Sequence, residues 1–454
     1  MNNFNLAAFG TDSYKVSHYG LYPPGTERVY SYCEPRVGGR FPEVVFFGLQ
    51  YILQQYLAGQ VVTREHIEEA AEVHAAHFGN ENLFNREGWE IILNEYGGRL
   101  PIEIRALPEG SVVPEGTPLF SIENTDDRLA WLTNYLETII MQVWSPTTVA
   151  TSSREIKKVI SRYLDLTGDP AGLAFKLHDF GYRGVSSVET AALAGSAHLV
   201  NFMGTDTMAA LRITRDCYGE PMAGFSIPAT EHSIMTARGP EDEADIVRQI
   251  LETYPEGLVA MVIDSYDTIG FIEDVIGGNS DIKEAILSRN GTVVFRPDSG
   301  DLPYIDVEVF RALERVFGSK VNDKGYVVLP DQVRMIQGDG IKWKGRHLNS
   351  SPWHTVEDIL EAFAEQRISA DNIAFGSGGG LLQDFTRDTQ RFAIKCCWMQ
   401  VNGEARDIFK QPSTDPTKNS KRGRVCDDLP VVFRNGELLI NQNLADIRNR
   451  AELS

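Results

Sequence analysis

The chain has 454 residues, 42% of them apolar and 23% charged, an ordinary globular composition long enough for two or three units that need neither disulfides nor metals to hold a core. A formal net charge of −20 argues against nucleic acid or anionic membrane as main partner, so an anionic substrate must be met by local cationic pockets. No stretch approaches the roughly 20 apolar residues of a membrane span, and the start MNNFNLAAFGTDSYK lacks the pattern of a signal peptide. The five cysteines (Cys33, Cys217, Cys396, Cys397 and Cys426) form no CxxC pair and no zinc spacing. The expectation is a soluble, cytoplasmic protein with reduced thiols.

Along the chain, TDSYKVSHY (Thr11–Tyr19) reads as a surface turn carrying Asp12, Tyr14 and Lys15, of functional interest only if it reaches a site, for instance in a neighbouring subunit. Residues 41–127 mix short strands, turns and a helical stretch near His66–His77. Within them ALPEGSVVPEGTPLFSIEN sets Pro-Glu-Gly turns between β runs, the pattern of a compact antiparallel sheet. Residues Ala130–Trp144 have apolar groups at helical spacing and predict a connecting helix. Six short apolar runs follow, each ending in a polar or Gly-rich corner. They are Leu173–Lys176 before HDFGYRG, Gly224–Ile227 before PATEH, Leu258–Ile263 before DSYD, Thr292–Phe295 before RPDSG, Val333–Ile336 before QGDG, and Asn372–Phe375 before GSGGG. Such runs suit strands buried on both faces of a parallel sheet. The helical segments Glu243–Tyr254 and Val307–Phe317 lie between them, which predicts an α/β barrel with its corners gathered at one mouth. From about residue 390 the chain returns to short strands and turns, and KQPSTDPTKNSKRGR (410–424) is a basic loop in an acidic protein.

The corners carry the chemistry. Four glycines in GSGGG (Gly376–Gly380) let backbone N–H groups approach a phosphate, helped by the dipole of a helix starting at Leu381 and by the charges of Arg387 and Lys395. RPDSG (Arg296–Gly300) sets a guanidinium suited to phosphate beside a carboxylate suited to a ribose diol, and QGDG (Gln337–Gly340) repeats the logic through Asp339. PATEH places His232 at a strand mouth, and DSYD (Asp264–Asp267) offers a carboxylate to orient it, an arrangement for nucleophilic or acid–base work. In HDFGYRGVSSVET, Phe180 can stack on a flat ring while Arg183 meets an amide or phosphate. GTD (Gly204–Asp206) is the weakest of these signals.

Taken in order from about residue 10 to the C-terminus, TDSYKVSHYGLYPPGTERVYSYCEPR, HDFGYRGVSSVETAALAGSAHLVNFMGTD, PATEHS, DSYD, RPDSG, QGDG and IAFGSGGGLLQDFTRDT resemble the nicotinamide phosphoribosyltransferase family. The resemblance implies a type II phosphoribosyltransferase fold: an irregular α/β barrel (128–389) and a second, mostly antiparallel β domain built from both flanks (41–127, completed by 390–454). The segment 1–40 would reach the partner subunit's site in a homodimer with shared active sites. Carried over, Phe180 and Tyr14 of the other subunit would sandwich nicotinamide, with Asp206 accepting from the carboxamide and Arg183 and Asp12 nearby. Asp298, Gly338 and Asp339 would hold the ribose of phosphoribosyl pyrophosphate. Arg296, Gly378, Gly379 and Arg387 would take its 5′-phosphate or neighbouring phosphates. Arg36, Lys395, Lys410 and Lys418 would take pyrophosphate or ATP. His232, oriented by Asp264, would be phosphorylated by ATP, and Mg²⁺ would arrive on the pyrophosphate or ATP, with no all-protein metal site. Ala260 and Ala393 stand where hydroxyl residues are expected, and Trp343–Trp353 reads differently from the familiar pattern.

The implied reaction makes nicotinamide mononucleotide for NAD biosynthesis, with ATP hydrolysis as a facultative drive. An Asp206 carboxylate facing the pyridine substituent favours an amide over nicotinate. The competing readings are a nicotinate phosphoribosyltransferase, a sugar-phosphate barrel lyase or isomerase, and a catalytically silent binding protein. The lyase needs a Lys or Glu poised in a corner, and no corner offers a convincing Lys.

Overall fold

A computed structural model describes residues 4–342, 356–414 and 418–453; Trp343–Trp353, singled out above, and residues 415–417 of the basic loop lie outside them. The chain divides into two compact units. One comprises Met1–Thr151, Ile213–Glu220 and Phe385–Glu452, the other Ser152–Arg212, Pro221–Asp384 and Leu453–Ser454.

The first unit is built on a seven-stranded sheet in the order Glu404–Asp407, Phe392–Val401, Thr26–Pro35, Phe120–Asn124, Ile102–Ala106, Val431–Arg434 and Glu437–Leu438. Every pairing is antiparallel, and three strands from the N-terminal flank lie at the centre with two from the C-terminal flank on either side, so both flanks build the sheet. The predicted helix around His66–His77 spans Arg64–Phe78, entered through the Thr63 side chain on His66 N–H and closed by Gly79 in the left-handed conformation.

The second unit carries a six-stranded parallel sheet, in the order Gly204–Thr205, Leu177–Asp179, Ile373–Ser377, Val333–Gln337, Gly291–Arg296 and Gly257–Val262. Parallel bridges Gly204–Phe225 and Ala229–Ala260 tie the extended segment 224–230 to both edges, so the sheet closes into an irregular ring. Helices Ser280–Ser288, Tyr304–Phe317 and Val356–Glu365 connect successive strands on the outside. Side chains alternate along each strand. Val259, Met261, Phe295 and Met335 are essentially fully buried, while their neighbours Ala260, Val294 and Ile336 form a separate cluster with Phe180, Ile227 and Ala374.

The predicted strands at 258–263, 292–295, 333–336 and 372–375 are present within a residue or two. Three expectations need correction. Leu173–Lys176 is not a strand: Asp169 caps a 3-10 turn over Pro170–Phe175, and the strand begins at Leu177. Gly224–Ile227 forms no regular strand, because Pro228 has no N–H for a ladder, although Phe225 N–H bonds Met203 O at 2.7 Å and Thr230 N–H bonds Ala260 O at 3.0 Å. The connecting helix of Ala130–Trp144 is Leu132–Ile140, followed by a 3-10 turn and a second helix, Trp144–Thr167.

Candidate active site

On the barrel unit, a cavity of about 440 Å³ lies against the inner faces of the strands, with Phe180, His178, Asp206, Ser226 and Arg296 among its walls. Phe180 sits just past its strand, its N–H bonded to Ser377 O at 2.9 Å. Gly376 is a glycine because of this ring: a Cβ there would collide with three ring carbons of Phe180. The Arg296 guanidinium lies 6.0 Å from the ring centroid, and its Nη2 donates to Thr230 O at 3.2 Å. Asp206 is exposed to the cavity, its N–H is fixed on Asp179 O at 2.9 Å, and Ser226 Oγ donates to its carboxylate. Burial lowers the pKa of His178 against the opposing charge of Asp206, which leaves this imidazole neutral at neutral pH. Beneath it, burial pushes Asp179 up to about 6. Arg183 is exposed on the turn Tyr182–Gly184 and lies outside the cavity wall.

The next corners hold the carboxylates. Asp298 Oδ1 stands 3.9 Å from Arg296 Nε. Gly338 N–H bonds Pro297 O at 3.0 Å, and a Cβ on Gly338 would strike Asp298 Oδ1, so any side chain there would displace the Asp298 carboxylate from its present position. Gln337 Nε2 donates to Asp339 O at 2.8 Å and fixes the backbone beside the exposed Asp339 side chain. Burial raises the pKa of Asp298; Arg296 opposes the shift, while Asp264 and Asp339 add to it. Three carboxylates therefore share one field. The helix after GSGGG begins at Gly379 rather than Leu381 and lasts four residues, with Gly378 at its N-cap, so backbone N–H groups rather than a long helix dipole are available there. A Cβ at Gly378 or Gly379 would meet only ordinary van der Waals contacts, at 3.7 and 3.4 Å. Protein packing does not require these two glycines, in contrast to Gly376.

His232 opens the helix His232–Met235, and its Nε2 lies 3.1 Å from Asp264 Oδ1. The His232 side chain is 48% exposed and that of Asp264 only 5%. The second Asp264 oxygen accepts from Ser299 Oγ at 2.5 Å, so both carboxylate oxygens are engaged and the ring orientation is set.

On the sheet unit, the turn with Tyr14 is anchored to the helix Leu132–Ile140. Asp12 accepts from Thr138 Oγ1 at 2.8 Å, Lys15 Nζ lies 3.2 Å from Glu137, and His18 pairs with Asn134. Tyr14 itself stays 60% exposed. Arg36 Nε donates to Arg391 O at 3.2 Å. Burial lowers the pKa of Lys395, and the charges of Arg36, Lys410 and Arg387 push the same way while Glu137 opposes them. These four cations therefore form one electrostatic group. Lys410 N–H bonds Ser420 Oγ at 2.8 Å, closing the basic loop on itself; Lys418 is in the same loop.

The structure adds Ser226, His178 and Ser299 to the residues singled out from sequence. Ser299 lay inside a motif read only for its Arg and Asp. His178 opened another motif read for Phe180 and Arg183.

Two family models match the chain: the nicotinate phosphoribosyltransferase (NAPRTase) family over residues 175–438, and the nicotinamide phosphoribosyltransferase N-terminal domain over residues 5–104. The chain is 43% identical to a nicotinamide phosphoribosyltransferase of Xanthomonas campestris pv. campestris, covering 100% of this chain and 99% of that one. It is 33% identical to one of Acinetobacter baylyi, over 97% and 95%. Among solved structures, a nicotinate-nucleotide pyrophosphorylase from Pyrococcus furiosus superposes with a TM-score of 0.56 at 15% identity, covering 99% of this chain and 96% of that one. Human nicotinic acid phosphoribosyltransferase gives 0.55 at 15%, covering 97% and 92%. At that identity the two structures establish the fold.

Proposed function

This chain belongs to the nicotinate phosphoribosyltransferase family, among its nicotinamide phosphoribosyltransferase members, and on that footing we propose that it condenses nicotinamide with 5-phosphoribosyl 1-pyrophosphate in the cytoplasm, as a step of NAD salvage. The observation that carries the choice of base is the Asp206 carboxylate, held by Ser226 in the cavity that Phe180 lines. It accepts a hydrogen bond from a carboxamide N–H, and it repels the carboxylate of nicotinate. Phe180 supplies one stacking face, and Tyr14 of the partner subunit the other.

In the transfer, the neutral pyridine nitrogen attacks the anomeric carbon. The bond to the pyrophosphate oxygen breaks, and its electron pair leaves with pyrophosphate. No proton moves at the reacting nitrogen, so the protein acts by alignment and charge stabilisation. Asp298 and Asp339 hold the ribose hydroxyls, and Arg296, Arg387 and the backbone of Gly378 and Gly379 hold phosphate. Arg36, Lys395, Lys410 and Lys418 take pyrophosphate or ATP phosphates, and Mg²⁺ enters as part of these substrates. With Nε2 of His232 engaged by Asp264, Nδ1 is the nitrogen left to attack the γ-phosphorus of ATP. ADP leaves with the electron pair of the broken P–O bond, and water later returns histidine and orthophosphate.

The test is a chromatographic product assay with phosphoribosyl pyrophosphate and Mg²⁺, offering nicotinamide or nicotinic acid, each with and without ATP. Nicotinamide mononucleotide in excess, boosted by ATP, is the expected outcome; a preference for nicotinic acid overturns the Asp206 argument. His232→Ala should lose the ATP stimulation and keep ATP-independent synthesis, and equal loss of both sinks the separate role of that histidine.

A further inference from the structure

Three groups on the barrel form an unbroken hydrogen-bonded chain: His232 Nε2 to Asp264 Oδ1 at 3.1 Å, and Asp264 Oδ2 to Ser299 Oγ at 2.5 Å. Ser299 is covalently next to Asp298, the carboxylate assigned to the ribose, and three residues from Arg296, assigned to phosphate. The Asp264 side chain is 5% exposed, so water has little access to replace the Ser299 hydroxyl on its second oxygen. The corner itself is open: Ser299 and Gly300 are exposed, and Gly300 adopts φ +115°, with a Cβ there meeting Ile305, so the backbone of the corner turns tightly against the following helix.

We propose that Ser299 is a positioning residue that couples occupancy of the sugar-phosphate corner to phosphorylation of His232. The inference rests on the phosphohistidine reading above. Ribose and phosphate bound to Asp298 and Arg296 fix the corner, and the fixed corner keeps the Ser299 hydroxyl on Asp264. Asp264 then holds the Nε2–H tautomer of His232 with Nδ1 free for the γ-phosphorus. An empty corner leaves Ser299 without that constraint, and Asp264 can turn away from the imidazole. Because linkage is reciprocal, the same bond makes ATP tighten the binding of the sugar pyrophosphate. Ser299 touches neither substrate in this scheme.

The experiment uses the full-length protein and follows ATP hydrolysis with and without phosphoribosyl pyrophosphate, together with the KM for phosphoribosyl pyrophosphate with and without ATP. A hydrogen bond to a buried charge is worth about tenfold or more in an equilibrium. Ser299→Ala should therefore lower both the substrate-stimulated hydrolysis and the ATP-dependent fall in KM by about tenfold. Synthesis without ATP should change by no more than about twofold. Ser299→Thr, which keeps the hydroxyl, should restore both couplings. Full coupling in Ser299→Ala overturns the proposal. So does a proportional loss of ATP-independent synthesis, which marks a merely structural residue, or failure of a folded Ser299→Thr to rescue. If the wild-type protein hydrolyses no ATP, or His232→Ala still hydrolyses it, the phosphohistidine reading falls first and the coupling with it.

Discussion

Replacing Gly376 by alanine asks whether the Phe180 ring is the surface on which the base stacks. A methyl at 376 would put three Phe180 ring carbons no farther than 2.9 Å away. Carbon–carbon contact begins near about 3.5 Å and the nearest ring carbon would stand at 2.0 Å, so the ring must retreat by about 1.5 Å. It cannot retreat along its own strand, because Phe180 N–H is tied to Ser377 O. It moves into the cavity, into the space assigned to nicotinamide. Loss of a stacked aromatic pair is worth about 0.5–1.5 kcal/mol, and misplacement near the reacting centre up to about a hundredfold in rate. Steady-state kinetics at saturating phosphoribosyl pyrophosphate should show the KM for nicotinamide rising about tenfold, with the KM for phosphoribosyl pyrophosphate little changed. Alanine is the better residue within a strand by roughly 0.5–1 kcal/mol, which offsets part of the steric cost, so thermal stability should move far less than the nicotinamide KM. An unchanged nicotinamide KM in a folded variant would refute the stacking assignment.

Asp206→Asn removes one like charge from the base pocket. At an exposed carboxylate the screened effect is about 1.4 kcal/mol, so competition between nicotinamide and nicotinic acid should shift about tenfold toward the acid. An unmoved ratio means Asp206 does not read the carboxamide. Asp306, wholly buried in the helix Tyr304–Phe317 with neither oxygen hydrogen-bonded among the described residues, is pushed up to about 8 by burial from an ordinary 3.8. The folded chain then keeps a proton that the unfolded chain releases. Stability should fall as pH rises from about 4 to about 8, by up to about 1.4 kcal/mol per pH unit from this group. Urea unfolding of Asp306→Asn should show a flatter pH dependence by that slope, and parallel curves for variant and wild type would contradict a protonated Asp306.

Barrel strands such as Gly257–Val262 and Gly291–Arg296 were legible because burial on both faces leaves the apolar runs Leu258–Val262 and Val293–Phe295, and the corners because glycine and charged residues punctuate those runs. The strand Leu177–Asp179 was hidden because two of its three residues are polar: the buried Asp179 side chain is satisfied locally by Gly181 N–H at 2.7 Å and by Thr205 Oγ1 at 3.3 Å, a partner 26 positions away that no local pattern predicts. The helix Trp144–Thr167 was missed past its start for the same reason. Thr147, Thr148, Thr151, Ser152 and Ser153 are all buried, and their hydroxyls make the stretch look like loop. At the site, types and order of residues were readable, whereas the pairings Ser226–Asp206 and Ser299–Asp264 join residues 20 and 35 positions apart and exist only once the ring has formed.

The ring has a seam. Most neighbouring strands are zipped by continuous ladders, but the segment 224–230 holds its two flanks by one isolated bridge on each side, with Pro228 contributing no donor. A sheet fastened this way opens from its weakest tooth, and amide hydrogens at Phe225, Thr230 and Ala260 belong with the early-exchanging class, ahead of those in the strand Gly291–Arg296, which is paired on both sides. His232 hangs two residues past the last tooth of that zip. The most loosely fastened stretch of the barrel is thus the one that leads into its exposed histidine.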